Sequence, residues 1–181
     1  MNYEELVFQQ VEGLYRIVPL RVLRKTPGVS FDLVPTEALP HIDGLDRVLH
    51  DGGAISPGAV SDVERPWYMH PHQDDNLIVL HGMRFVDIYT KAHGRIESLE
   101  VAPHQIRQGD KVIFDGAAML VWPRGVFHRI RSDDISGSAS LNFAVRYEGF
   151  DIRTNFNIYA LDPASGEYRT LRPGYLDQPT G

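Results

Sequence analysis

Apolar and polar residues alternate over residues 139–147. Ala139, Leu141, Phe143, Val145 and Tyr147 fall on one side, and Ser140, Asn142, Ala144 and Arg146 on the other. A period of two is that of an extended strand with one buried face. Residues 154–160 alternate likewise, with Phe156, Ile158 and Ala160 against Asn155, Asn157 and Tyr159. Residues 77–80 (Leu-Ile-Val-Leu) are apolar on both faces and predict a strand covered on both sides, by residues 1–24 or by a second subunit. Further β-type runs are expected at 66–72, 76–81, 83–90, 95–101, 111–115, 118–122 and 126–131, with turn residues between them. Strands at this density predict an all-β protein, an antiparallel barrel or double-sheet jelly roll.

The first third of the chain reads differently. Residues 2–11 predict a short helix, and residues 14–24 an extended segment that Pro19 places at a sheet edge. Residues 26–65 carry Pro27-Gly28, Asp43-Gly44, Asp51-Gly52-Gly53 and Pro57-Gly58, which predict loops, with a short helix near 44–50. From residue 172 the tail is too rich in Pro and Gly for regular structure. The resulting division is an N-terminal extension (1–65) packed on the barrel, the barrel itself (66–162) and a C-terminal tail (163–181).

Composition narrows the chemistry. The 181 residues are one domain's worth. With 18 Lys plus Arg against 24 Asp plus Glu, the net charge is −6, which argues against nucleic acid as a partner. There is no cysteine, so thiol nucleophiles, disulfides and thiolate metal sites are excluded. No apolar run is long enough for a membrane span and the N-terminus lacks the pattern of a secretory signal, so a cytoplasmic protein is expected.

Candidate chemistry lies in the histidines. His70 and His72 are two apart, and in an extended strand both would point to one face, with Pro71 biasing His70 to extended backbone. Neutral imidazole is a common ligand of divalent metals. Downstream, Pro123-Arg124-Gly125 makes a tight turn that would set His128 at the start of a strand facing the same cavity. Arg84, Tyr89, Asn142, Arg146 and Tyr147 fall on strands that could line the barrel; an inward Arg would suit a carboxylate or phosphate on a substrate, but parity past Gly82 does not select Arg84 over its neighbours or over an outward, solvated side chain. His41, His50, His93 and His104 fall in loop-like segments and are assigned no chemistry. His81, of odd parity on its strand, is expected at the surface or at an interface.

These residues resemble a known family, the cupins. His70-Pro71-His72, three residues, Asn76 and then Gly82 resemble the family's first motif, and Pro123-Arg124-Gly125-Val126-Phe127-His128 resembles its second in full, with Gly109-Asp110 upstream. The resemblance covers about residues 66–148. It implies a cupin-type antiparallel barrel and a divalent first-row metal (Fe, Mn, Ni or Zn) held by His70, His72 and His128, with Asn76 where the family usually places a ligating Glu. Asn supplies a neutral oxygen on a shorter stem, so it neutralises none of the metal's charge. Gln73, Asp74 and Asp75 are expected in the turn.

The function implied is a metal-dependent enzyme, oxygenase or isomerase, acting on a small organic molecule. The alternatives are a metal-free enzyme similar to the sugar-nucleotide epimerases and a non-catalytic small-ligand binder. The doubly apolar strand points to a homodimer.

Overall fold

The computed structural model describes residues 6–179. Its main sheet has six strands in the order β1 (Gln9–Val11), β2 (Tyr15–Pro19), β13 (Ala118–Trp122), β8 (Gln73–Gly82), β15 (Ser138–Arg146) and β5 (Gly44–His50). The second sheet runs β12 (Lys111–Asp115), β11 (Gln105–Gln108), β10 (Glu97–Ala102), β9 (Arg84–Tyr89), β14 (Phe127–Ser132), β7 (Trp67–Met69), β16 (Ile158–Asp162) and β17 (Glu167–Arg172), with β6 (Ile55–Ser56) beside β14. A separate hairpin joins β3 (Arg21–Thr26) to β4 (Val29–Leu33). Every pairing is antiparallel, and the two large sheets face each other as a jelly roll.

Period-two alternation sorts the side chains into layers. Leu77, Val79, Val86, Ile88, Leu120, Trp122, Val126 and Ile130 fill the space between the sheets. Ile78, Met119, Val121, Phe143 and Val145 point out of the other face of the six-stranded sheet, where Leu6, Ala38 and Leu39 cover them. Ile78 of the doubly apolar run is thus covered by the chain's own N-terminal third, whereas Leu80 at its end is exposed. Burying such side chains stabilises by about 1.5–3 kcal/mol each, before entropy is counted.

Several local expectations are corrected. Residues 9–11 are a strand, not helix; residues 2–5 of the expected helix lie outside the described residues. Residues 44–50 are strand β5 rather than a helix, with Asp46, Val48 and His50 half-buried and Leu45, Arg47 and Leu49 exposed. A seven-residue alternation is the signal that identifies them, and the flanking Gly and Pro masked it. Three of the six strands of the main sheet therefore come from the segment expected only to pack on the barrel. Residues 152–155 form a short helix, α1 (Ile152–Asn155), so the strand expected from 154 starts only at Ile158. The tail contributes strand β17 and then a 3₁₀ helix at Gly174–Asp177, against the expectation of no regular structure from residue 172 on.

Two glycines bring the strand ends together. Gly82 and Gly137 have φ of 67° and 62°, and a Cβ on Gly82 would lie 2.0 Å from the Gly137 carbonyl oxygen. Only glycine fits such an approach.

Candidate functional site

Between the sheets lies a cavity of about 340 Å³. Its lining comes from both sheets: Asp46, Val48 and His50 from β5; Asp75 and Leu77 from β8; Arg84 from β9; Trp122 from β13; His128 and Ile130 from β14; and Asn142 from β15. Tyr68, His70 and Phe156 close one side.

At one end, His70, Asp75 and His128 converge. All three are buried, and a ligand-type atom of each lies within 4.8 Å of the others. His70 Nε2 is 3.2 Å from Asp75 Oδ2, and His128 Nε2 is 3.7 Å from it. The turn that brings them together depends on Gly125, whose φ of 80° suits glycine and whose N–H donates to the His70 carbonyl oxygen at 2.9 Å. The second motif is thereby tied to the first by a backbone bond. Each imidazole is held from behind. His70 Nδ1 meets the Asn155 carbonyl oxygen at 2.5 Å, at the end of α1, and His128 Nδ1 meets that of Val126 at 3.2 Å. A carbonyl only accepts, so both Nδ1 atoms carry hydrogen and both Nε2 atoms face Asp75.

Asp75 is bound on all sides. Gln73 Nε2 and Asn142 Nδ2 donate to Oδ1 at 2.8 and 2.9 Å, and Trp122 Nε1 donates to Oδ2 at 3.1 Å. Burial pushes its carboxyl up, but His70 beside it outweighs burial and holds it below the usual carboxylate range. Burial pushes His70 down, and the charge and hydrogen bond of Asp75 reverse this, so His70 holds its proton more tightly than free imidazole. His128 goes the other way: burial and the charge of His70 bring it down to about 4. Two histidines with ring centroids 4.8 Å apart thus have opposite proton affinities.

The residues expected to form a metal site divide. His70 and His128 are brought together at the centre. His72 is not: the chain bends at Pro71 and His72, which breaks the two-residue period, and the His72 ring is half-buried against Gly149. Asn76 faces the opposite side of β8, where its Nδ2 donates to the Phe143 carbonyl oxygen at 2.7 Å. The oxygen at the centre comes instead from Asp75, one residue earlier and on the strand rather than in a turn. Parity counted back from the inward-facing Leu77 was the signal that could have found it. His50 also reaches the cavity, because β5 is a strand. His81 is exposed, as expected, but not through parity: it shares the parity of the inward-facing Asp75, Leu77 and Val79, and a register shift opposite Val79 and His81 breaks the alternation before the strand ends.

No protein-family model matches the chain, and no curated protein matches it. Solved structures do. The chain is similar to QdtA, a sugar 3,4-ketoisomerase from Thermoanaerobacterium thermosaccharolyticum, in complex with TDP, with a TM-score of 0.54 and 14% identity over 78% of this chain and 85% of that chain. A mutant of that enzyme in complex with TDP-4-keto-6-deoxyglucose aligns equally well. The TDP-quinovose 3,4-ketoisomerase WlaRB from Campylobacter jejuni aligns with a TM-score of 0.50 and 15% identity over 76% of this chain and 87% of that chain. At these identities the likeness is one of fold, and the fold is the cupin-type jelly roll that the two motifs predict. Among the described residues no helix is long and apolar enough to cross a membrane.

Proposed function

We propose that this chain is an isomerase-type enzyme acting on a small organic molecule, with His70, Asp75 and His128 as its reacting centre. The observation that carries the reading is the pair of facing histidines that share one carboxylate yet hold protons with opposite strength. Groups whose environments drive their proton affinities apart are suited to act as acid and base.

On an α-hydroxy ketone the steps balance. His128, neutral, takes the proton from the carbon bearing the hydroxyl, while His70 gives its proton to the ketone oxygen. An enediol results. The original hydroxyl then returns a proton to His70, and His128 delivers its proton to the former ketone carbon. The carbonyl has moved by one position and both histidines are restored. Asp75 stays ionised and offsets the charge that His128 gains. Trp122 and Phe156 pack against the histidine rings and keep water out. The solved structures of similar fold are enzymes that move a ketone on a nucleotide-linked sugar, which supports the same reaction class.

The test is incubation with α-hydroxy ketones (keto sugars, free and TDP-linked, and hydroxy keto acids) in deuterated water. Deuterium should enter at the carbon next to the carbonyl, and His128→Gln should abolish this. Failure of every such substrate to exchange or isomerise would sink the reading.

A second reading uses the same three residues. Both Nε2 atoms and an Asp75 oxygen face one point, and two imidazoles with a carboxylate form a donor set for iron, manganese, nickel or zinc. The residues fit such an ion, and His70, Asp75 and His128 would hold it. Bound there, a divalent metal supplies Lewis-acid polarisation of a substrate carbonyl. Elemental analysis of protein purified without chelators, beside Asp75→Asn, decides between the readings. About one equivalent in the wild type alone supports the metal centre. None after incubation with each ion removes it.

A further inference from the structure

The other end of the cavity holds a charge that neither reading uses. Arg84 is 2% exposed and lines the cavity. Its Nε donates to Ser138 Oγ at 2.9 Å and its Nη2 reaches the Val48 carbonyl oxygen at 3.4 Å. Among the described residues it forms no ion pair, whereas Arg129 on the neighbouring strand has Asp87 at 2.9 Å. A guanidinium keeps its charge, and burying one without a carboxylate is costly.

Beyond these two acceptors, a relay of hydroxyls leads to His50. Ser138 Oγ lies 2.8 Å from Ser132 Oγ, which lies 2.9 Å from His50 Nδ1. Ser138 accepts from Arg84, so the arrangement that uses every hydroxyl hydrogen runs from Ser138 to Ser132 and from Ser132 to His50 Nδ1. His50 Nδ1 is then an acceptor, and its proton sits on Nε2. His50 lines the cavity beside Arg84 and adds a second N–H there.

Strand geometry separates this cluster from the reacting centre. Asp46 and His50 lie four residues apart on β5, as do His128 and Ser132 on β14 and Asn142 and Ser138 on β15. Four residues of strand span about 13 Å. Val48 and Ile130 lie between the two ends and are apolar.

We infer that Arg84 and His50 form a carboxylate subsite, so that the substrate is an elongated small acid with its carboxylate on Arg84 and its reacting carbonyl at the other end, beside His70 and His128. A single guanidinium matches a single negative charge. Asp46 and Asp75 line the same cavity, and they disfavour a dianionic phosphate. The assignment of the reacting end rests on the proposed centre; the carboxylate subsite does not.

The test is calorimetric titration of the full chain with straight-chain keto and hydroxy acids, the matching amides and alcohols, the matching alkyl phosphates, and TDP. Wild type, Arg84→Met, Arg84→Lys and Asp75→Asn are compared. Carboxylates should bind at least about tenfold more tightly than their neutral counterparts, and Arg84→Met should erase that ratio. Arg84→Lys should keep part of it. Carboxylate binding that survives in Asp75→Asn, together with loss of isomerisation, separates the subsite from the centre. The inference is overturned if no carboxylate binds the wild type, if acid and alcohol bind alike, or if phosphates or TDP bind more tightly than carboxylates. The ratio within the wild type alone is decisive, should Arg84→Met fail to fold.

Discussion

The two ends of the cavity share strands β5, β14 and β15 and hold charge in opposite ways. At the first end, Asp75 faces His70 at 3.2 Å and is further bound by Gln73, Asn142 and Trp122. At the second, Arg84 has, among the described residues, only a serine hydroxyl and a distant carbonyl. Both are buried, so both pay for desolvation, but only the first recovers it within the protein. A carboxylate so fully bonded fixes the proton affinities of its neighbours. A guanidinium left without a counter-charge favours the arrival of an anion.

The largest effect should come from breaking the compensated end. Asp75→Ala should destabilise the fold by about 3–5 kcal/mol, measured by urea unfolding, because it strands His70 and two amides. His128→Gln, which removes the base and leaves the carboxylate in place, should lower kcat by about 10²–10⁴-fold at nearly unchanged stability. The uncompensated end should behave in reverse. Arg84→Met should leave stability unchanged or raise it, by up to about 2 kcal/mol, since it replaces an unpaired buried charge with apolar volume. A large destabilisation by Arg84→Met would show that the guanidinium is structural.

Acid sharpens the contrast. His128 is down at about 4 through burial and His70, and His50 is down at about 4 through burial and the nearby Arg84. Both lie below 6.5 in the folded chain, so the unfolded chain binds more protons between these values. Stability should therefore fall as pH drops from 6.5 to 4, with a slope approaching roughly two protons. His50→Gln and His128→Gln should each remove about one proton from that slope. His70 has the opposite sign: its contribution is complete below 6.5 and is lost as pH rises through its higher folded value. Thermal unfolding across pH, with each histidine replaced in turn, measures all three. The smallest effect is expected at His72, outside the cavity, where His72→Ala should change kcat less than about twofold and stability by about 1 kcal/mol or less.

The motif residues themselves were legible. Pro123, Gly125 and His128 form the turn and the inward strand that their spacing predicts. The strand runs at 111–115 and 118–122 match the structure residue for residue. What could not be read was the path between His70 and the strand after it. Two bends at Pro71 and His72 change the parity by one, and this turns His72 and Asn76 away and Asp75 inward. Periodicity predicts faces only within an unbroken strand. Likewise β5 hid between Asp43-Gly44 and Asp51-Gly52-Gly53: turn residues mark the ends of a short strand as readily as they mark a loop. The cavity's second end depends on that strand and on the parity of β9 past Gly82, so the sequence could not select Arg84 among its neighbours or supply its surroundings.

Among the described residues, strand β5 lies at the edge of its sheet and pairs only with β15. Its inward residues touch the cavity, and its outward residues Leu45, Arg47 and Leu49 are exposed. Substitutions at Asp46, Val48 and His50 therefore alter the cavity wall without disturbing the layer that holds the six-stranded sheet to the N-terminal third. Related chains could diverge in the molecules they accept by drift along this one strand, while Asp75 and His128, on strands paired on both sides, stay as they are.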